Sequence, residues 1–324
     1  MSTVNPAMPQ PSGRKTFREW FAVPKNQQRV VIFTFAVIPV ALLIMFTYYP
    51  FARMIEWSFY NMSYTKNRGF VGLKNYIDVF TREELFATFR VSLYYMVGAL
   101  VQIALALYFA TVLSFKTRFT AFYKGAMFFP FLINGIAIGF IFKFFYTRGY
   151  VLDTTLGFFG IPLESLPYWL RDMSVNNWSL VATSVWKYMG QNMVLFSGAI
   201  MSVDPTLYEA AAIDGANKWH QFRYVILPSI STVLTLNVIL SITGSLSAFE
   251  PPYVIAAMGA NGTATYFIQM HQTAHVNHKV GLACAMAVVL VLIICVCTVI
   301  QKLIFKYAFR NSGTDTKPAK KGVL

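Results

Sequence analysis

The 324-residue chain is 56% hydrophobic, 17% aromatic and only 12% charged, about half the charged fraction of a soluble domain. This excludes an ordinary water-soluble globular protein and places the chain in the membrane class. The net charge of +14 does not point to nucleic acid, because the basic residues follow the loops. Sixteen of the 27 Lys and Arg fall in the N-terminal tail, in 114–124, in 204–228 and in the tail from Lys302, and nine in the alternate loops. The positive-inside rule then puts both termini and the 204–228 segment in the cytoplasm of a multi-pass protein.

Residues 1–29 are polar and lack a small-residue cleavage site after a short apolar core, so they are expected to be a tail ahead of an uncleaved span. Six runs could cross roughly 30 Å of hydrocarbon, which takes about 20 residues each: 30–51, 91–115, 125–145, 178–201, 224–249 and 280–300. The first carries no charge and holds Pro39, which should kink it. The stretch after it, 57–80, has Gly and Asn at turns and aromatics suited to the interface. The fourth run holds Lys187, Gln191 and Asn192, so hydropathy marks it weakly. Gly98, Gly135, Gly139, Gly190, Gly198 and Gly244 allow close helix approach and favour a packed bundle. Cys284, Cys295 and Cys297 all lie in the last run and read as small packing residues. The expected fold is an all-α polytopic membrane protein of six transmembrane helices over 30–310, with a polar tail at 311–324.

The segment between the fourth and fifth runs is polar: Glu209, Asp214, Lys218, His220 and Arg223 stand in about 20 residues. Asp204 can cap a helix that Pro205 begins and that runs to about Ile213. Asp214-Gly215 should break it, and Asn217 can cap a second helix. Ala210, Ala211 and Ala212 give the first helix a smooth face beside Glu209. A connector needs only a handful of residues, so a small-faced charged projection suits docking better.

Glu209-Ala210-Ala211, Asp214-Gly215-Ala216, Phe222 and Leu227-Pro228, so spaced between two spans, resemble the cytoplasmic coupling loop of ATP-binding-cassette importer permeases. Tyr49-Pro50, Trp57-Ser58-Phe59, "FVGLKNY" (70–76), "WKYMGQNM" (186–193) and Phe249 resemble the carbohydrate branch of that family, of the maltose and glycerol-phosphate type. The similarity covers roughly residues 30–309. It departs at "MGANGTATYF" (258–267), where such permeases commonly show Gly-Gly-Pro. The resemblance implies the MetI-like permease fold of type I importers, in the bacterial cell membrane. It also implies a second related permease, two copies of a cytoplasmic ABC ATPase, an extracytoplasmic sugar-binding protein and a sugar substrate. In that family Glu209 would pair with a basic residue of the ATPase cleft, the Ala face would pack close, and Gly215 would set the angle between the helices. None of the 19 glycines precedes a lysine, so the chain has no G-x-x-x-x-G-K-[ST] phosphate cradle. No cofactor is expected on it; ATP and Mg belong to the partner ATPase.

Polar groups inside spans are costly and usually face a cavity. Ser184, Lys187, Tyr188 and Gln191 recur at spacings of three and four, and Asn237, Ser241, Ser245 and Glu250 share a face of the fifth run. With Trp186, Tyr188 and Phe249 nearby, these suit a neutral polyol better than an anion. In position relative to the coupling loop they match the sugar-lining residues of maltose-type permeases. Ala248 lacks the polar group expected there, Lys187 adds a charge that could pair with Glu250, and a polyol phosphate stays open. His271, His275 and His278 share a helical face, but no acid or cysteine completes a site, and no metal is expected. A secondary transporter would need carboxylates at mid-depth, and a polytopic enzyme would need motifs such as H-E-x-x-H or G-x-S-x-G; the sequence has neither.

Overall fold

The computed structural model describes residues 21, 23–64, 66–115 and 118–308. The chain falls into two units, one ending at Glu56 and the other beginning at Trp57. Among its described residues the first is essentially one helix, α1, Pro24–Trp57, whose last residue opens the second unit. Pro24 starts it, where a missing N–H costs nothing. The helix runs on through Pro39 and widens into a π turn at Ile44–Tyr48, where the Tyr49 amide reaches back five residues to Ile44. Pro50 follows immediately and supplies no amide, so the backbone adjusts one turn ahead of the missing donor.

The second unit opens with a two-stranded antiparallel hairpin, β1 Tyr60–Ser63 and β2 Lys66–Phe70, bulged between Tyr60 and Met62. This hairpin is a small local exception within the all-α fold. The short run is rich in aromatics and turn residues, which pair as a hairpin once the membrane helix has ended. Asn75 ties the hairpin to α2 (Lys74–Thr81) by donating to the Ser58 and Tyr60 carbonyls at 2.8 and 3.1 Å.

The remaining helices are α3 Glu83–Val112, α4 Thr120–Leu132, α5 Gly135–Tyr146, α6 Val151–Phe158, α7 Asn176–Met201, α8 Pro205–Ile213, α9 Lys218–Gln221, α10 Ser231–Leu246, α11 Glu250–Val254, α12 Tyr266–His271 and α13 Val280–Ala308. Helix α3 packs along α7 and α10, α4 lies on α7, and α5 lies on α11. Small residues make these approaches possible. A Cβ on Gly190 of α7 would fall 1.8 Å from the Met127 carbonyl of α4, and one on Gly98 of α3 would fall 2.3 Å from Val181. In lipid, where hydrophobic burial does not draw helices together, such contact is a main source of association. At the α13 side, Tyr266 is fully buried, stacks on Phe89 at 4.0 Å and donates its hydroxyl to the Met286 carbonyl at 3.0 Å.

Among the described residues, four helices are long and apolar enough to cross a membrane: α1, α3, α13 and the stretch Ser231–Val254. The run at 125–145, expected as one span, is broken into the pair α4 and α5, bent by 97°. Pro130 sits in the last turn of α4, and Asn134 caps α5 by accepting from the Ile136 amide at 2.9 Å. The chain therefore stops and restarts a helix within an apolar run. Helix α7 has the 26 residues a span needs, but its polar side chains lower its hydropathy.

Candidate functional site

The segment 204–228 folds as two helices held by local chemistry. Asp204 accepts from the Thr206 amide at 2.9 Å, with Pro205 opening α8. This bond holds the Asp204 carboxyl below the usual carboxylate range. Gly215 has φ +76°, and the Ala216 amide returns to the Ala211 carbonyl at 2.9 Å, the double closure of a Schellman end. Asn217 then accepts from the His220 amide at 2.9 Å and starts α9. Past α9 a second π turn, Phe222–Ile226, precedes Leu227 and Pro228, the same arrangement seen ahead of Pro50.

The hairpin has an anchored side and a projecting side. Tyr208 and Phe222 pack against the core formed by Ile200, Phe196, Ile226 and Ile230, and burial pushes the Tyr208 phenol pKa up. Lys218 lies over the Phe115 ring at 4.3 Å. Outward stand Glu209, Ala210, Asp214 and Gly215, all exposed, with Ala211 and Ala216 half-buried. Glu209 forms no ion pair among the described residues. Ile213 is 87% exposed, and Trp219 and Tyr224 are exposed as well, so the hairpin offers apolar groups together with a carboxylate.

The second element of the site is a cavity of about 690 Å³ between α3, α7 and α10. Ser184, Tyr188, Gln191, Ser241 and Ser245 all line it, with Asn192, Asn237, Phe249 and Phe267. Asn192 donates to the Ser241 hydroxyl at 3.3 Å, joining α7 to α10. The Ser184 and Ser245 hydroxyls donate back into their own helices, to Leu180 and Ile242, which leaves oxygen lone pairs for a guest. Gln191 hydrogen-bonds to nothing among the described residues and offers both a donor and an acceptor.

Lys187 does not line this cavity. Its side chain is buried, donates to Glu250 at 2.6 Å and lies 5.1 Å from the centre of the Tyr188 ring. It lines a small neighbouring pocket with Ser184, Gly135 and Ile138. The cavity also takes Tyr95 and Gln102 from α3, which the sequence reading did not place there. Gln102 is the single amide in the run 91–115, and that was the available signal.

The histidines do not converge. His271 and His275 lie 4.7 Å apart between rings, while His278 packs at a tilt against Tyr64 at 4.4 Å. No group of three His, Cys, Asp or Glu among the described residues is arranged to hold a metal. The segment 258–267, where Gly-Gly-Pro is missing, turns through left-handed residues at Met258, Gly259, Asn261 and Gly262. The Asn261 carbonyl accepts from Asn176 at 2.7 Å, and the Met258 carbonyl from Gln272 at 2.8 Å.

Residues 102–308 match the family model described as "Binding-protein-dependent transport system inner membrane component". The chain belongs to this family. It is therefore a membrane permease component. It is 31% identical over 265 residues to the "Probable starch degradation products transport system permease protein AmyD" of Thermoanaerobacterium thermosulfurigenes, covering 80% of this chain and 88% of that protein. It is 29% identical over 285 residues to the arabinooligosaccharides transport system permease protein AraP of Halalkalibacterium halodurans, covering 85% and 88%. A solved bacterial alginate ABC transporter, in complex with an alginate pentasaccharide-bound periplasmic protein, has a chain that superposes with TM-score 0.76. That match is 14% identical and covers 90% of this chain and 99% of the other. The fold is thus that of ABC importer permeases, the MetI-like arrangement.

Proposed function

We propose that this permease forms half of the translocation pathway of an ATP-driven sugar importer. A second related permease forms the other half, two copies of a cytoplasmic ABC ATPase carry ATP and Mg, and an extracytoplasmic sugar-binding protein delivers the solute. The assembly sits in the bacterial cell membrane with both termini of this chain cytoplasmic, and the chain itself performs no covalent step. The observation that carries this reading is the cavity: hydroxyls, amides and the ring faces of Tyr188 and Phe249 together, a lining suited to a hydroxyl-rich solute. The names of AmyD and AraP support a sugar.

Coupling follows from connectivity. Helix α7 passes into the 204–228 hairpin through Ser202 and Val203, and the hairpin passes into α10 with one break at Ile230. Both helices line the cavity, so a displacement of the hairpin moves two of its walls. An ATPase subunit that grips Glu209 and the Ala face differently in its open and closed states would shift the equilibrium of the spans by that difference. Reconstitution of the complete transporter in liposomes tests this. Glu209→Lys is expected to abolish sugar-stimulated ATPase activity while the membrane subunits stay assembled. Full stimulation in that variant would reduce the hairpin to a connector.

A further inference from the structure

We propose that Glu250, held in place by Lys187, is a specificity-determining residue that makes this half of the pathway reject anionic sugars. The inference rests on the sugar reading above and narrows its substrate class to neutral, hydroxyl-rich sugars.

The pair is asymmetric. The Lys187 side chain is 9% exposed and its Nζ is 2.6 Å from Glu250 Oε2, whereas the Glu250 side chain is 44% exposed. Glu250 lines the cavity and Lys187 does not, and among the described residues no Lys or Arg reaches the cavity wall. A solute in the cavity therefore meets the negative end of the pair. The lysine that would have recommended a phosphate or a uronate is buried and already bound to Glu250.

Two further features fix the carboxylate. It packs on Gly135, where a Cβ would fall 1.8 Å from Oε2, so only glycine admits it. Gly135 is the first residue of the 12-residue helix α5, and a helix N-terminus complements a negative charge. The carboxylate is thus anchored by charge on one side and shape on the other. A sugar hydroxyl can donate to its exposed oxygen, a charge-assisted bond. A uronate or a phosphate brings a like charge close to it in addition to any hydroxyl, and like-charge juxtaposition opposes binding.

The test uses the purified complete transporter without its binding protein, so that delivery does not filter the solute. Equilibrium binding of two probes of equal length is compared: maltopentaose and an alginate pentasaccharide. The wild type is expected to bind the neutral probe at least about tenfold more tightly, or ~1.4 kcal/mol. The double variant Lys187→Met with Glu250→Gln removes both charges without stranding either, and should erase that ratio. Gly135→Ala changes no charge but displaces the carboxylate, and should shrink the ratio as well. Acidic-probe binding equal to or tighter than neutral in the wild type overturns the proposal, as does an unchanged ratio in a double variant that assembles normally. Should the double variant fail to assemble, Gly135→Ala decides alone. Binding of neither probe removes the sugar reading and this proposal with it, whereas tight acidic binding removes the proposal only.

Discussion

The amide of Ala216 donates to the carbonyl of Ala211 at 2.9 Å, wrapping the chain back over Gly215 to close α8. Nothing lies within 4 Å of a Cβ built on Gly215, so substitution there meets no clash and costs only backbone conformation. With φ at +76°, a β-branched residue should cost about 1–2 kcal/mol or more. Gly215→Val is expected to lower stimulated ATPase activity in liposomes, while Gly215→Asn, whose side chain tolerates the left-handed region, should retain most of it.

Ile213 stands at the end of α8 with 87% of its surface open. If the hairpin docks in an ATPase cleft, burying this side chain should contribute about 1.5–3 kcal/mol. Ile213→Asp should weaken retention of the ATPase subunit on the detergent-purified membrane subunits tenfold or more by that estimate. Ile213→Leu should leave retention near wild type. Equal retention in all three would put the docking surface elsewhere.

Asp204 supplies a pH signature. Its carboxyl lies below the ordinary aspartate range because it accepts from the Thr206 amide. A depressed folded-state pKa contributes stability that is complete above the unfolded value and disappears as pH falls through the folded one. Hydrogen exchange of the first turn of α8 should therefore accelerate on acidification through that window, beyond the intrinsic pH trend. Asp204→Asn can still cap the helix but has no proton to gain, and should show no such step.

Two glycines of α7 make opposite predictions. At Gly190 a Cβ would meet the Met127 backbone at 1.8 Å, whereas at Gly198 it meets nothing. Gly190→Ala should cost about 1–3 kcal/mol, because backbone cannot give way as a side chain can. Gly198→Ala should instead add about 0.5–1 kcal/mol, the usual gain in a helix interior. Thermal unfolding in detergent is expected to order the proteins Gly190→Ala, wild type, Gly198→Ala from least to most stable.

The hairpin was legible in the sequence because each of its devices acts within a few residues: Asp204 on Thr206, Gly215 under Ala216, Asn217 on His220. The Lys187–Glu250 pair was legible only as opposite charges on two polar faces. Spacing put Lys187 beside Ser184 and Tyr188, but whether a long flexible stem meets a carboxylate 63 positions away depends on how the helices pack. The bend after α4 was hidden for another reason. Hydropathy sums composition and carries no direction, so Pro130, Asn134 and Gly135 disappeared into an apolar average. The β-hairpin was written as turn residues and aromatics, yet its pairing depends on a register that no single strand specifies.

The 97° break between α4 and α5 has a consequence for biogenesis. At about 1.5 Å per residue, the two helices extend only about 20 and 18 Å, so neither alone reaches across roughly 30 Å of hydrocarbon. What holds them is synthesised afterwards: Gly190 receives the Met127 backbone, and Val254 fills the space above Gly139. A nascent chain that has just emitted Tyr146 owns both half-helices and neither support. The supports of this stretch thus follow it in the order of synthesis, and its two half-helices gain their packing only once α7 and α11 have been made.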